Sequence, residues 1–120
     1  MNNAVMHSEL IAQNPAALRR FYVDLFGWDE EDYPEAQYTI LRHGDGAGID
    51  LAIGAAMPGL KAGPTTYVSV DDVDAYVAKL QRIPGVSIIQ APYDIEGMGR
   101  FAVFTDPEGN RIGLWQLPRA

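Results

Sequence analysis

The chain has 120 residues, of which 48% are hydrophobic, and it carries a formal net charge of −7 and no cysteine. This length suits one domain with a proper core, and the lack of cysteine excludes disulfides and thiolate chemistry. The acidic balance, without clusters of Lys and Arg, argues against nucleic acid and anionic membrane surfaces as partners, and no apolar run reaches membrane-spanning length. The first residues lack the pattern of a signal peptide, so we expect a soluble, cytoplasmic protein.

The first half of the chain contains the pattern of a strand, a helix and three further strands. The predicted strands are Val5–Ile11, an acidic segment Trp28–Tyr33 that Pro34 interrupts, Gln37–Arg42 and Gly48–Ile53. Asn14 is placed to cap the helix before Pro15, and Gly27 to end it. The last two strands form a hairpin around the turn Gly44-Asp45-Gly46.

The second half repeats this order after a linker rich in Pro and Gly, Ala55–Pro64. The predicted elements are a strand over Thr65–Val70, a helix capped by Asp71 or Asp72 and ended by Pro84-Gly85, a strand over Val86–Gln90, a loop over Ala91–Gly99, and a hairpin of Phe101–Thr105 with Arg111–Leu117. Pro107 and Gly109 supply the backbone angles that the turn of this hairpin requires.

Two separate features indicate that the halves are an internal repeat. The apolar residues predicted to face the core in the first helix recur 55 residues later in the second: Leu18, Phe21, Tyr22 and Leu25, then Val73, Tyr76, Val77 and Leu80. The two hairpins also match without a gap at a shift of 63 residues, which places Tyr38 on Phe101 and Gly46 on Gly109. We therefore predict an α+β fold of two βαβββ modules, at about 4–57 and 64–118, within a single domain over 1–120.

The motifs MHSEL and FYVDLFGW in the first half, with YVSVDDVDAYVAKL and GRFAVFTDPEGNRIGLWQ in the second, resemble the vicinal oxygen chelate superfamily. That superfamily includes glyoxalase I, bleomycin resistance proteins and extradiol dioxygenases, and the FGW and GLWQ segments resemble its small glyoxalase-like branch most. The resemblance implies that the two modules form a curved mixed sheet, a cup with the helices on the outside, which holds a ligand. It also implies a homodimer, which would cover the edge strands.

The resemblance places a metal site at one position on the first strand and one on the last strand of each module. Carried over to this chain, these positions are His7 and Asp50, then Thr65 and Gly113. Gly113 has no side-chain ligand and the neutral hydroxyl of Thr65 is a weak donor, whereas a tight site needs about three or four protein ligands. We therefore expect no bound catalytic metal and no other cofactor, unless a subunit partner or the nearby Glu9 completes the set.

Strand alternation and loop position suggest the other ligand-binding residues. Tyr67 and Trp115 share the predicted inner face with Thr65 and Gly113, and a glycine beside a tryptophan would open room for a flat apolar ligand. The segment Tyr93–Arg100 is expected to form a rim or lid, with Met98 over the ligand and Arg100 facing an anionic group on it. The predicted ligand-binding set is His7, Asp50, Thr65, Tyr67, Met98, Arg100, Gly113 and Trp115.

Each of these residues also has a plain structural explanation. His7 could be a hydrogen-bonded, half-exposed strand histidine, Asp50 could belong to a salt bridge or lie at a wet cup mouth, and Tyr67 with Trp115 could pack the core.

Three functions follow from these alternatives. The first is a glyoxalase-like protein that binds a small organic molecule without a complete metal site, with or without acid–base chemistry by His7 or Asp50. The second is a metal-dependent lyase or dioxygenase of the glyoxalase I or extradiol dioxygenase type, and the third is an interaction module whose own side chains fill the cup. The residues alone leave open whether the protein is an enzyme.

Overall fold

A computed structural model of the chain describes residues 3–44 and 46–118. The elements in chain order are β1 (Val5–Ala12), α1 (Pro15–Phe26), β2 (Asp29–Tyr33), β3 (Tyr38–Arg42), β4 (Leu51–Ala55), β5 (Gly63–Ser69), α2 (Val73–Leu80), β6 (Ser87–Ile95), β7 (Gly99–Thr105) and β8 (Arg111–Gln116). A short 3-10 turn, Pro34–Ala36, joins β2 to β3. The predicted α+β class and the two βαβββ modules are confirmed.

Strand order and direction are the same in both modules. The order is β2-β3-β4-β1 in the first module and β6-β7-β8-β5 in the second. In each module the first strand runs parallel to the last, while the other neighbouring strands are antiparallel. The helix between the first two strands of a module packs on one face of its sheet, and the opposite face is called the far face below.

The first module has its core between α1 and the sheet. Its fully buried members are Ala12, Leu41 and Ile53, and α1 contributes Leu18, Tyr22 and Val23. The prediction that Phe21 and Leu25 also face the core is wrong, since these side chains are 57% and 59% exposed. The face of α1 that contacts the sheet carries Leu18, Tyr22 and Val23, so the helix is rotated relative to the predicted face.

The second module has the predicted core. Val70, Val73, Val77, Ala102 and Leu114 are buried between α2 and the sheet, with Tyr76, Leu80, Ile88 and Phe104 packed around them. The predicted helix starts are confirmed in both modules, as is the end of α1, whereas α2 ends at Leu80 and not at the predicted Pro84-Gly85. Asn14 Oδ1 accepts a hydrogen bond from Ala17 N, Asp72 Oδ1 accepts one from Ala75 N, and Gly27 ends α1 at a φ of 72°.

The chain divides into two compact units close to the predicted linker. One unit consists of residues 7–64, and the other contains residues 65–118 together with residues 3–6 at the start of the chain. Those first residues hydrogen bond to β5: Ser69 N donates to Ala4 O at 2.8 Å, and Asn3 Nδ2 donates to Ser69 O at 2.9 Å. The second unit therefore includes the first described residues of the chain.

The boundaries of two strands, β4 and β6, differ from the prediction by three or more residues, whereas the acidic segment is a strand as predicted. The acidic segment does form β2, at the edge of its sheet, where exposed charges are tolerated. β4 begins at Leu51, so Asp50 lies just before the strand, and Asp45 of the predicted turn lies outside the described residues. β6 continues through Pro92 to Ile95, because it is an edge strand whose pairing with β7 has register shifts between Ile88 and Tyr93.

The extended β6 changes the expected rim or lid. Only residues 96–98 remain between β6 and β7, so the segment Tyr93–Arg100 is mostly paired strand and the prediction of a lid there is wrong. Neither described helix has the length and apolar content that crossing a membrane requires.

Candidate functional site

His7 is one end of a hydrogen-bonded chain on the far face of the first module. Its Nε2 lies 2.7 Å from the Tyr38 hydroxyl, and that hydroxyl donates to Glu9 Oε2 at 2.7 Å. Glu9 is 7% exposed and His7 is partly buried. Burial lowers the pKa of His7 below its ordinary value; the charge of Asp50 opposes this effect, and that of Arg42 adds to it. His7 is consequently held in its neutral form near pH 7.

Backbone geometry makes room for this chain. β1 alternates, so His7 and Glu9 point to the same face, while Leu10 packs on the helix side. The Tyr38 ring lies over Gly54 of the neighbouring strand, where an added Cβ would come within 3.2 Å of the ring. Because Gly54 has no side chain, the Tyr38 ring can lie across it, with the hydroxyl beside His7 and Glu9 of β1.

Asp50 is engaged in an ion pair. Its carboxylate accepts hydrogen bonds from Arg42 Nη1 at 3.0 Å and from the His43 backbone N–H at 3.3 Å, and His43 Nε2 lies 3.3 Å away. Arg42 also binds Glu31 through two nitrogens, and with the Tyr33 hydroxyl it lowers the pKa of Glu31 to about 2. The salt-bridge explanation for Asp50 is therefore confirmed.

The first and last strands of a module pair in a different register in the two modules. In the first module, Ser8 pairs with Leu51, so the residues just before them, His7 and Asp50, are neighbours. In the second module the residue that pairs with Gly113 is Tyr67. Gly113 therefore pairs with Tyr67 and not with Thr65, whereas the equal spacing of His7 to the helix cap Asn14 and of Thr65 to the helix cap Asp72 matches His7 with Thr65.

Thr65 and Gly113 are both buried, and neither is open to a ligand in the way predicted. Thr65 is 1% exposed, and its hydroxyl accepts a hydrogen bond from Arg111 Nε at 2.5 Å. A Cβ at Gly113 would lie 2.2 Å from two ring atoms of Tyr67. The Tyr67 ring fills the space beside Gly113, so the expectation that this glycine opens room for a ligand is wrong.

A row of aromatic side chains lies on the far face of the second module. Trp115, Phe101 and Tyr93 occupy paired positions on β8, β7 and β6. The Trp115 and Phe101 rings are stacked at 6.0 Å, Tyr93 meets Phe101 edge-on at 6.1 Å, and Tyr67 meets Trp115 edge-on at 5.7 Å. Tyr93 is exposed, whereas Phe101 and Trp115 are partly exposed. These three residues are called the aromatic row below.

Only one member of the aromatic row was predicted from the sequence. Trp115 was in the predicted set, whereas Phe101 and Tyr93 were missed. The signal for Phe101 was available, because alternation across the last hairpin places it opposite Trp115. Tyr93 was missed because its segment was predicted to be a loop.

Met98 and Arg100 have positions different from those expected of a rim. The Met98 carbonyl accepts a hydrogen bond from Trp115 Nε1 at 3.0 Å, which fixes the orientation of the indole. Arg100 lies on the helix face, where its Nε donates to Asp74 Oδ2 of α2 at 2.9 Å and its Nη1 lies 3.2 Å from Asp94 Oδ1. The prediction that Arg100 faces a ligand is wrong because Arg100 and Phe101 point to opposite faces of β7.

The side chains at the four family positions do not fit a catalytic metal. His7 Nε2 and the Asp50 carboxylate already bind protein groups, Thr65 accepts from Arg111, and Gly113 is covered by a tyrosine ring. Among residues 3–44 and 46–118, no cluster of three or more His, Cys, Asp or Glu side chains is arranged to hold a metal ion.

Comparison with known proteins identifies the family. The profile of the Glyoxalase/Bleomycin resistance protein/Dioxygenase superfamily matches residues 4–114. A protein of Mycobacterium tuberculosis named as the glyoxylase CFP32 is 36% identical over 120 residues. The match covers 92% of this chain and 44% of that protein. The anthracycline biosynthesis protein DnrV of Streptomyces peucetius is 30% identical, with 90% of this chain and 45% of that protein covered. The chain thus spans under half the length of these relatives.

Solved structures show the same fold. A glyoxalase/bleomycin resistance protein/dioxygenase superfamily member from Vibrio splendidus has a TM-score of 0.67 and 16% identity, with 98% of this chain and 100% of that chain covered. A methylmalonyl-CoA epimerase from Mycobacterium tuberculosis has a TM-score of 0.62 and 18% identity, with 96% and 88% covered. With the profile covering most of the sequence and the two βαβββ modules present, the chain belongs to the glyoxalase/bleomycin resistance protein/dioxygenase superfamily.

Proposed function

We propose that this glyoxalase-like protein binds a planar aromatic organic molecule and does so without a catalytic metal. The observation that carries the proposal is the aromatic row, whose three residues lie on three adjacent paired strands and whose Trp115 and Phe101 rings are stacked at 6.0 Å. Soluble proteins usually bury such rings, and a partly exposed row of them provides flat, weakly polar surface for a ligand of the same kind.

Two further observations support this ligand class. The Trp115 indole is held by the Met98 carbonyl, so its ring plane is set before a ligand arrives and little side-chain entropy is lost on binding. The Streptomyces relative is named for anthracycline biosynthesis, and anthracyclines contain a flat, fused aromatic ring system. A flat polycyclic molecule is accordingly the ligand class that we propose.

The test uses tryptophan fluorescence and a neutral hydroxyanthraquinone as the probe. The chain has two tryptophans, Trp28 and Trp115, so a Trp28→Phe background leaves Trp115 as the sole reporter. We expect saturable quenching by the hydroxyanthraquinone and none by decalone, a neutral ketone of bicyclic but non-planar shape. In the same background, Phe101→Leu is expected to weaken binding about fivefold, since a ring contact contributes roughly 1 kcal/mol.

Unchanged affinity in Phe101→Leu, or equal binding of decalone, would contradict the proposal. Tyr76→Phe is a suitable control, because Tyr76 lies on α2 and packs against the core on the helix face, and this change removes only its hydroxyl. It is expected to leave quenching as it is. Loss of quenching in this control would indicate a general change in folding.

The alternative is a metal-dependent lyase or dioxygenase, and it requires ligands from outside the described residues of one chain. The predicted homodimer is the natural source of such ligands, and it stays a prediction, as does a cytoplasmic location. Sedimentation of the purified chain tests the dimer. Elemental analysis of the untreated protein tests the alternative, which predicts near-stoichiometric metal that is lost in His7→Ala.

A further inference from the structure

Helix α1 leaves large apolar side chains uncovered, in contrast to α2. Every residue of α1 is at least partly exposed, whereas α2 buries Val73 and Val77. Phe21 and Leu25 of α1 are 57% and 59% exposed. We propose that this surface of α1 binds the same surface of a second copy of the chain, so that the two α1 helices form an antiparallel pair related by a two-fold axis.

The exposed apolar residues form one row along the helix. Ala17, Phe21 and Leu25 follow one another at intervals of four residues and all three are exposed. Rows of this spacing are the ridges that pack into the grooves of a facing helix. The row, called the α1 row below, is high at Phe21 and Leu25 and low at Ala17, where only a methyl group projects.

A two-fold axis near Tyr22 makes the α1 row complementary to itself. The axis reverses the helix direction, so a residue three positions after the centre lies at the level of the residue three positions before the centre in the other copy. Leu25 of each copy then lies between Ala17 and Phe21 of the other. The large side chain thus fills the low part of the row, and the contact occurs twice by symmetry.

The charges beside the α1 row are complementary in the same arrangement. Arg20 and Asp24 lie next to the row, and both are exposed. In the part of the chain that the structure describes, neither is in an ion pair, and it is the adjacent Arg19 that binds Glu30 and Asp32. With the axis near Tyr22, Arg20 of each copy is opposite Asp24 of the other, which fixes the register of the pair.

The charge of the whole chain favours this surface for contact between copies. The formal net charge is −7, so two copies repel each other unless they meet where the surface is locally neutral. The carboxylates of β2 near α1 are paired with arginines, as Glu30 is with Arg19 and Glu31 with Arg42. The α1 row is apolar and has one charge of each sign beside it, so it meets this requirement.

The proposed contact differs from the edge-strand dimer that the family resemblance implies. It uses a helix of the first module and leaves the edge strands β2 and β6 uncovered. One helix surface covers less than the roughly 800 Å² per partner of a standard interface, so we expect a reversible, concentration-dependent dimer.

The first test is sedimentation velocity of the full chain over a series of concentrations. We expect the wild type to show a monomer–dimer equilibrium. Leu25→Glu is expected to raise the dissociation constant at least about tenfold, because it places a charge in the centre of the apolar contact. The matched control is Leu117→Glu, which makes the same change at a leucine that is 53% exposed after β8, and it is expected to leave the association unchanged.

The second test is a charge exchange that detects the antiparallel register. Arg20→Asp and Asp24→Arg each bring like charges together in a homodimer, so each variant alone is expected to dimerise about tenfold more weakly than the wild type. In an equimolar mixture of the two variants, a carboxylate again meets a guanidinium at both contacts. The mixture is therefore expected to form dimers at concentrations where each variant alone is monomeric, and this test stands even if Leu25→Glu does not fold.

Three results would overturn the inference: a wild type that is monomeric at every concentration, dimers that persist in Leu25→Glu, or a mixture of the charge variants that does not associate. Persistent dimers would place the interface elsewhere, for example at an edge strand. The proposed function is tested separately, since hydroxyanthraquinone quenching reports on Trp115 in the second module. Quenching in the Trp28→Phe background is expected to be the same with and without Leu25→Glu, which also shows that this variant is folded.

Discussion

The two modules share strand order, parallel and antiparallel pairing and a capped helix, yet their far faces carry different chemistry. In the first module that face holds an ionisable network around His7, Tyr38 and Glu9. In the second, the equivalent face holds the aromatic row, and Tyr67 pairs with Gly113. The helix faces are alike because each must supply an apolar core, whereas the far faces are under no such constraint.

One device recurs on both far faces. Each module places a tyrosine ring over a glycine of a neighbouring strand: Tyr38 over Gly54 of the antiparallel β4, and Tyr67 over Gly113 of the parallel β8. In the first module the tyrosine hydroxyl reaches a histidine and a carboxylate, and in the second the tyrosine ring contacts Trp115. The same local packing of a ring on a glycine thus supports a hydrogen-bonded chain in one module and an aromatic surface in the other.

The largest effect is expected from Gly113→Ala in the second module. The added methyl would lie 2.2 Å from the Tyr67 ring, which is 4% exposed and has little space to move. We expect this overpacking to lower the free energy of unfolding by about 3 kcal/mol, measured by urea denaturation. The matched variant is Gly54→Ala, whose methyl would meet the flexible end of Ile11 at 3.0 Å and Tyr38 at 3.2 Å, and it should cost about 1 kcal/mol. Equal losses in the two variants would contradict the difference in ring packing.

A smaller effect is expected from acid, and it should originate in the first module. Burial lowers the pKa of His7 below 6.5 in the folded chain, so the unfolded chain takes up this proton first as the pH falls. Stability from this group is complete above about pH 6.5, falls as the pH drops towards the folded pKa, and is constant below it. Urea unfolding at a series of pH values should show this decline in the wild type and in His43→Gln but not in His7→Gln. A decline of the same size in His7→Gln would place the acid sensitivity elsewhere.

A still smaller effect on stability is expected from Arg100→Met on the helix face of the second module. Its ion pairs with Asp74 and Asp94 are exposed, and exposed pairs contribute little because water screens them. We expect a slight fall in the urea midpoint and no change in hydroxyanthraquinone affinity. A marked loss of affinity would show that Arg100 does reach the ligand.

No effect is expected from removal of divalent metals. A metal ion that binds only the folded state would raise the melting temperature. Dialysis of the purified chain against a chelator, or addition of nickel, zinc or manganese, should therefore leave the melting temperature unchanged. The donors at the family positions are engaged with other side chains or absent. Stabilisation by one of these ions, abolished in His7→Ala, would favour the metal-dependent alternative.

Much of the fold was predictable because its signals are local. Asn14 and Asp72 cap helices through hydrogen bonds that span three residues, and the turn at Asp106 depends on backbone N–H groups of Asn110 and Glu108. The apolar spacing of α2 likewise predicted its buried residues. The errors arose where one element had to be placed against another, as with the rotation of α1 and the extent of β6.

The sequence by itself determined the order of elements, the internal repeat and the family, since these depend on patterns of residue type along the chain. Tertiary structure decided which side chains meet. His7 and Tyr38 are 31 residues apart, and the match of Tyr67 with Gly113 depends on the register of two strands far apart in sequence. Alternation assigns a side chain to one of two faces, but only strand pairing decides its neighbour on that face. For this reason the sequence did not predict the hydrogen-bonded chain of His7, Tyr38 and Glu9 or the aromatic row, and both were identified from the tertiary structure.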